Sequence, residues 1–202
     1  NVLPIPNVSI GSLDSEICDG ESALLTTNTN SNNSYQWLVN GNAILGANNS
    51  NYNATMGGQY TVLVSDINGC SSISNDLSVI VNSNPIAQII NSDTQNLCIG
   101  SYIVLEASYA QGNLYQWEQN GVTIPGATAP IFSVYTSGNY KVKITNAQGC
   151  SNFSNDVIVN FHFVPSGLIV TNDTLNVCEG TPVLLQLNTN NTGIELQWYF
   201  NN

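Results

Sequence analysis

Gly58-Gln59-Tyr60-Thr61-Val62-Leu63-Val64-Ser65-Asp66-Ile67-Asn68-Gly69-Cys70 returns eighty residues later as Gly138-Asn139-Tyr140-Lys141-Val142-Lys143-Ile144-Thr145-Asn146-Ala147-Gln148-Gly149-Cys150. In the first copy Tyr60, Val62 and Val64 alternate with residues of exposed type. In the second, Tyr140, Val142 and Ile144 do so. Apolar residues at every second position make a half-buried strand. Gly-x-Tyr at the entrance and Asn-Gly or Gln-Gly at the exit mark its turns.

The same period extends outward from this strand. Cys18, Cys98 and Cys178 recur every 80 residues. Trp37 and Trp117 do the same, and Trp198 follows one residue late. About a third of positions 18–97 are identical, without a gap, in 98–177. A period of this length is too long for a solenoid repeat and fits tandem independent domains. The expected units are 1–83, 84–163 and, as the opening strands of a third, 164–202. The chain stops partway through that third unit, so a piece of a longer protein is expected.

Each unit reads as a series of short strands. In the first, a strand lies around Val8 and Ile10, and Cys18-Asp19-Gly20 is a turn. Ala23, Leu25 and Thr27 alternate, and Tyr35-Gln36-Trp37 follows after a polar loop. Asn40-Gly41 and Asn120-Gly121 are hairpin-turn signals. Short strands are expected near Ile44 and Tyr52, Phe132 being the counterpart of Tyr52. Then come the strand quoted above and a last one through Leu77, Val79 and Val81. That makes about seven strands per unit and no helical period, which predicts an all-β architecture of tandem sandwiches.

Composition narrows the function. Two lysines stand against 13 acids, for a net charge of -11. Nucleic acid binding needs phosphate-neutralising cations, so it is disfavoured, as is docking on an anionic membrane. No apolar run is long enough to span a bilayer, and no signal peptide or lipidation motif is present. Only 7% of residues are charged, so Asn, Ser, Thr and Gln must cover the surface.

Gly20-x-x-Ala23-x-Leu25, Trp37-x-x-Asn40-Gly41 and Gly58-x-Tyr60 resemble strands B, C and F of immunoglobulin-like domains. The fuller pattern of Cys-x-Gly, Tyr-Gln-Trp, Asn-Gly, Gly-x-Tyr-x-Val and Gly-Cys is similar to Ig-like repeats of large secreted proteins of Bacteroidota. Gliding adhesins and substrates of the type IX secretion system belong to that group. The resemblance implies a bacterial cell-surface location and Ig-like sandwiches, the third truncated. It also makes Trp37, Trp117, Tyr60, Tyr140, Val62 and Val142 core residues, with the two tyrosines as candidates for a tyrosine corner. The B–F disulfide of antibody domains is absent, because Thr27 with Val62 and Ala107 with Val142 occupy those positions. The tryptophans are then expected to pack on aliphatic side chains alone.

Each full unit carries one cysteine before strand B and one after the F–G turn. That count points to Cys18–Cys70 and Cys98–Cys150, with the partner of Cys178 beyond the chain end. Disulfides imply an oxidising, extracellular compartment. Geometry raises an objection: in Ig topology the two turns lie at opposite ends of the sandwich, whereas a bridge needs Cα atoms within about 7 Å. Bonds between neighbouring domains or chains, Cys18 to Cys150 among them, and free thiols therefore stay open.

Catalytic chemistry finds little support. His162, in Phe161-His162-Phe163, is the single histidine and reads as a surface or interdomain residue. No nucleophile–base set, phosphate loop or zinc spacing can be assembled, so no enzyme and no cofactor is expected. Asp14, Glu16, Asp19 and Glu21 form a weak calcium candidate, against the plainer reading of a solvated acidic turn. Asp173-Thr174-Leu175 resembles an O-glycosylation motif of Bacteroidota, making Thr174 a possible sugar site. Tyr102, Tyr109, Tyr135 and Phe153 could stack on glycans, or pack on strand edges. The expected role is a structural and adhesive segment: a semi-rigid extracellular stalk whose partners are neighbouring repeats, with self-association into filaments or binding to surface glycans as further possibilities. The alternative is a carbohydrate-binding or spacer module of a secreted enzyme.

Overall fold

The computed structural model describes residues 3–28, 32–90, 94–170, 179, 182, 184–189 and 193–199. Its elements are all strands. In the first unit they are β1 (Ile10–Ser12), β2 (Glu16–Cys18), β3 (Ala23–Thr27), β4 (Ser34–Val39), β5 (Asn42–Ala43), β6 (Asn51–Ala54), β7 (Gly58–Ser65), β8 (Ser71–Ile73) and β9 (Leu77–Asn82). One sheet runs β1-β3-β6. The other runs β2-β9-β7-β4-β5, with β8 on β7. The second unit repeats this order with β10 (Gln95–Cys98), β11 (Ile103–Glu106), β12 (Leu114–Gln119), β13 (Val122–Thr123), β14 (Ile131–Val134), β15 (Gly138–Thr145), β16 (Ser151–Phe153) and β17 (Val157–His162). There a bridge from Ile89 to Ala107 takes the place of the β1–β3 pairing. With β3 paired to β6 in one sheet and β4, β7 and β9 adjacent in the other, this order makes the two units tandem immunoglobulin-like sandwiches.

Two strands divide where the sequence suggested one. The first crosses from one sheet to the other: β1 pairs antiparallel with β3, and β2 pairs parallel with β9. Cys18 therefore ends a strand rather than occupying a turn. The last strand is interrupted at Ser74-Asn75-Asp76. The buried Ser74 hydroxyl accepts the Val62 N–H and donates to the Asn75 carbonyl. The Asn75 amide oxygen accepts the Ile10 N–H. Ser154 and Asn155 do the same for Val142 and Ile89. These bonds replace the ladder that the break interrupts and tie the first strand to the last. The divisions raise the strand number above seven per unit among the described residues.

Each sandwich has its own hydrophobic core. Trp37 and Trp117 are both 0% exposed, and Tyr60, Tyr140, Val62 and Val142 are buried with them. The indoles do not pack on aliphatic groups alone. Trp37, Tyr52 and Tyr60 form a row with ring centroids 6.0 Å apart at each step. Trp117, Phe132 and Tyr140 form the matching row, at 5.7 and 6.2 Å. The middle ring of each row comes from the opposite sheet, Tyr52 from β6 and Phe132 from β14. Among the described residues each buried side-chain polar atom has a partner: the indole N–H groups donate to the Asn49 and Ala129 carbonyls at 2.9 Å. The phenols of Tyr60 and Tyr140 donate to the carbonyls of Met56 and Thr136, four residues upstream.

Burial, then the neighbouring Tyr52, pushes the Tyr60 phenol above its ordinary value. The neutral form is thus favoured in the folded state. Its contribution is complete below about pH 10, where the unfolded phenol starts to ionise, and is lost as pH rises through the higher folded value. Stability of the first sandwich should fall as pH rises from about 10 through the higher folded value, and Tyr60→Phe should flatten that fall. Urea midpoints of the two proteins that decline equally over that rise in pH would refute this.

The Asn-Gly turns adopt the left-handed geometry of the twisted hairpin, with φ of 49° and 76° at Asn40 and Gly41 and 52° and 78° at Asn120 and Gly121. Asn40 and Asn120 also accept the N–H of Gln59 and Asn139 on the next strand. Beyond the second sandwich, β18 (Leu168–Val170) and β19 (Gln186–Asn188) pair antiparallel, as the first strands of another unit would. Trp198 is 48% exposed there.

Candidate functional site: the junction between sandwiches

The connection between the two sandwiches is built from two turns and a short connector. On the first sandwich, β2 runs beside β9 to its end, with Cys18 opposite Asn82. The Asp19 N–H donates to the Asn82 carbonyl at 2.9 Å, and Glu21 returns its N–H to the Cys18 carbonyl. Gly20 makes that reversal at a φ of 91°, a backbone region that L side chains seldom adopt. The Glu21 carboxylate accepts the Cys18 N–H at 3.0 Å. Glu21 therefore holds Cys18 on both sides, its carboxylate on the Cys18 N–H and its N–H on the Cys18 carbonyl.

On the second sandwich, the turn after β15 is an Asx-type reversal. The Asn146 amide oxygen accepts the N–H groups of Gln148 and Cys150 at 3.1 and 2.9 Å. The Asn146 N–H donates to the Cys150 carbonyl. The turn presents Cys150 toward the first sandwich, and the bond closes there: Cys18 and Cys150 are joined with Cα atoms 5.5 Å apart. Cys150 is 1% exposed. Hydrogen bonds fasten the connector on both sides of this bond. The Asn146 amide donates to the Ser83 carbonyl at 2.8 Å, and the Asn84 amide donates to the Asp19 carbonyl at 2.9 Å.

This overturns the pairing expected within units, Cys18–Cys70 and Cys98–Cys150. β9 ends at Asn82, beside the start of β7, since Val79 faces Gly58. Cys18 therefore sits at the end of the sandwich where β7 begins, and Cys70 lies past the end where it finishes. The eight residues of β7 span roughly 26 Å at about 3.3 Å each, several times the reach of a disulfide. Cys70 and Cys98 are free. Cys178 and Thr174 lie outside the described residues.

The four acids of the calcium candidate, Asp14, Glu16, Asp19 and Glu21, are not gathered into a metal-binding group. No group of three or more candidate ligands is brought together among the described residues. Asp14 turns its carboxylate onto the Glu16 N–H and Glu21 turns its own onto Cys18, so two of the four acids serve as turn caps. His162 meets Asn96 across the β10–β17 pair at 3.2 Å. Lys141 bridges to Glu118 at 3.4 Å and lies over the Phe153 ring. Tyr102 and Tyr135 stack on the surface with centroids 5.5 Å apart, where the first unit has Ser22 and Thr55.

The junction residues Asn84 and Asn146, and the Ser74-Asn75 break, escaped the sequence reading. A signal was present for two of these features. An Asx residue four positions before Cys, with Gly between, occurs as Asp66 to Cys70 and again as Asn146 to Cys150. Ser-Asn-Asp occurs at 74–76 and at 154–156.

No family model matches the chain, and no curated protein matches it. Among solved structures it is similar to three N-terminal domains of the bacteriophage RB49 Highly Immunogenic Outer Capsid protein. That match is 16% identical, covers 90% of this chain and 69% of that one, and has a TM-score of 0.40. An I-band fragment of titin is 13% identical over 93% of this chain and 77% of its own, at a TM-score of 0.40. The N-terminal eight Ig domains of the Down syndrome cell adhesion molecule are 14% identical over 91% of this chain and 32% of theirs, at 0.42.

Proposed function

We propose that this chain is a structural segment of an extracellular bacterial surface protein, a semi-rigid stalk of Ig-like units at 1–83, 84–163 and from 164 onward. The observation that carries the reading is the Cys18–Cys150 bond, which joins one sandwich to the next instead of bracing either one. Interdomain contacts within a chain otherwise permit relative motion as a rule. A covalent link beside a connector whose Ser83 and Asn84 are both hydrogen bonded removes most of that freedom. The bond also favours an oxidising compartment. The polar, weakly charged surface suits exposure outside the cell, and neighbouring repeats are the first partners.

Small-angle scattering of the oxidised chain should give one narrow distribution of distances between the two sandwiches. A broad distribution, with the Cys18–Cys150 bond verified as intact, would sink the stalk. A second reading, glycan binding, draws on the exposed Tyr102–Tyr135 pair, since stacked aromatic faces suit sugar rings. Binding on a glycan array that is lost in Tyr135→Ala would favour it over a purely mechanical role.

A further inference from the structure

Cys70 and Cys98 are each held in the same local frame as a bonded cysteine one repeat away. Cys98 ends β10 opposite His162, as Cys18 ends β2 opposite Asn82. The Ile99 N–H donates to the His162 carbonyl and the Ser101 N–H to the Cys98 carbonyl, matching Asp19 and Glu21. Gly100 reverses the chain at a φ of 94°, as Gly20 does at 91°. On the other side, the Asp66 carboxylate accepts the N–H groups of Asn68 and Cys70 at 2.9 and 2.8 Å, as Asn146 does for Gln148 and Cys150. The Asp66 N–H returns to the Cys70 carbonyl at 2.9 Å, as Asn146 does to Cys150. The two free cysteines therefore reproduce the two halves of the Cys18–Cys150 junction, one at the far end of each sandwich. Burial differs as an adjoining unit would make it differ: Cys98 is exposed and Cys70 partly buried, while Cys150 is 1% exposed.

We infer that Cys98 and Cys70 are junction cysteines, each forming a disulfide with a further copy of this repeat. Cys98 takes the F–G-turn cysteine of the following copy. Cys70 takes the cysteine before strand B of the preceding one. The inference rests on the stalk reading and deepens it, because every joint then carries the same staple and stiffness extends along the array. The chemistry is two-electron thiol–disulfide exchange. Two cysteine thiols and one oxidising disulfide, R–S–S–R, yield the protein disulfide and two R–SH. It passes through a mixed disulfide whose leaving thiolate takes up the proton. Oxidised glutathione or a thiol oxidoreductase supplies R–S–S–R.

The test lengthens the full chain by one copy of residues 98–177 inserted after Val177. The protein is refolded in a glutathione redox buffer and mapped by non-reducing peptide mass spectrometry. The expected map joins both the Cys18 peptide and the Cys98 peptide to peptides containing Cys150, and Cys98→Ser at the original position removes the second link alone. In parallel, the original chain is oxidised at rising concentration. Cys98–Cys70 links between molecules there would mean that a second molecule can also supply the partner. If Cys98 of the lengthened chain remains an alkylatable thiol while Cys18–Cys150 forms, the inference is overturned and the stalk reading stands. If Cys18–Cys150 itself fails to form in both proteins, both fall.

Discussion

Trp37→Ala should destabilise the first sandwich by about 3–5 kcal/mol and leave the second folded. The indole is fully buried, and at about 25 cal/mol per Å² its burial is worth roughly 4–6 kcal/mol. Truncation also removes the end ring from the Trp37–Tyr52–Tyr60 row and leaves the Asn49 carbonyl without its indole donor. A domain of this size has roughly 0.05–0.15 kcal/mol per residue to lose, so the loss is a large share of its stability. The effect should stay local because the two cores are separate clusters. Urea titration followed by near-UV circular dichroism should resolve two transitions, of which one moves to lower denaturant. Trp117→Ala should move the other. Simultaneous loss of both sandwiches from either substitution, or a cost below about 1 kcal/mol, would contradict this account.

Cys18→Ser should turn the joint into a hinge without unfolding either unit. The native bond closes a span with a sequence separation of 132, which the chain-entropy model values at about 5 kcal/mol, shared by the two sandwiches. The hydrogen bonds that fasten the connector without it are the amide bonds to Ser83 and Asp19. These are exposed and worth about 0.5–1.5 kcal/mol each at best, too little to hold one orientation against the freedom of a flexible connector. Spin labels on the two sandwiches should report a narrow distance distribution in the native chain and a broad one in Cys18→Ser. Both denaturation midpoints should fall, while the circular dichroism of the folded state persists. Cys150→Ser should behave alike. An unchanged distance distribution and unchanged midpoints would show that the bond contributes nothing to the joint.

The parts of the molecule that were legible in the sequence are those encoded within about ten residues. Tyr60, Val62 and Val64 alternate because a strand turns each successive side chain to the opposite face. Asn40-Gly41 could be recognised as a turn because few residues accept positive φ at both central positions. Trp37 and Trp117 were legible as core because each sits on an alternating strand at the same place in the repeat. Other features required the fold. The division of the first strand depends on which sheet Ile10 and Ile17 find, and the aromatic row depends on Tyr52 arriving from the opposite sheet.

The disulfide shows the limit most clearly. One cysteine at each end of a repeat is a local fact, and its count pointed to pairing within a unit, although the same residues can also bond across a joint. The choice belongs to tertiary structure. The length of β7 holds Cys18 and Cys70 apart, while head-to-tail stacking brings Cys18 against Cys150. A bond that forms only within a few ångströms is decided by where chain segments end in space, and spacing along the chain does not carry that distance.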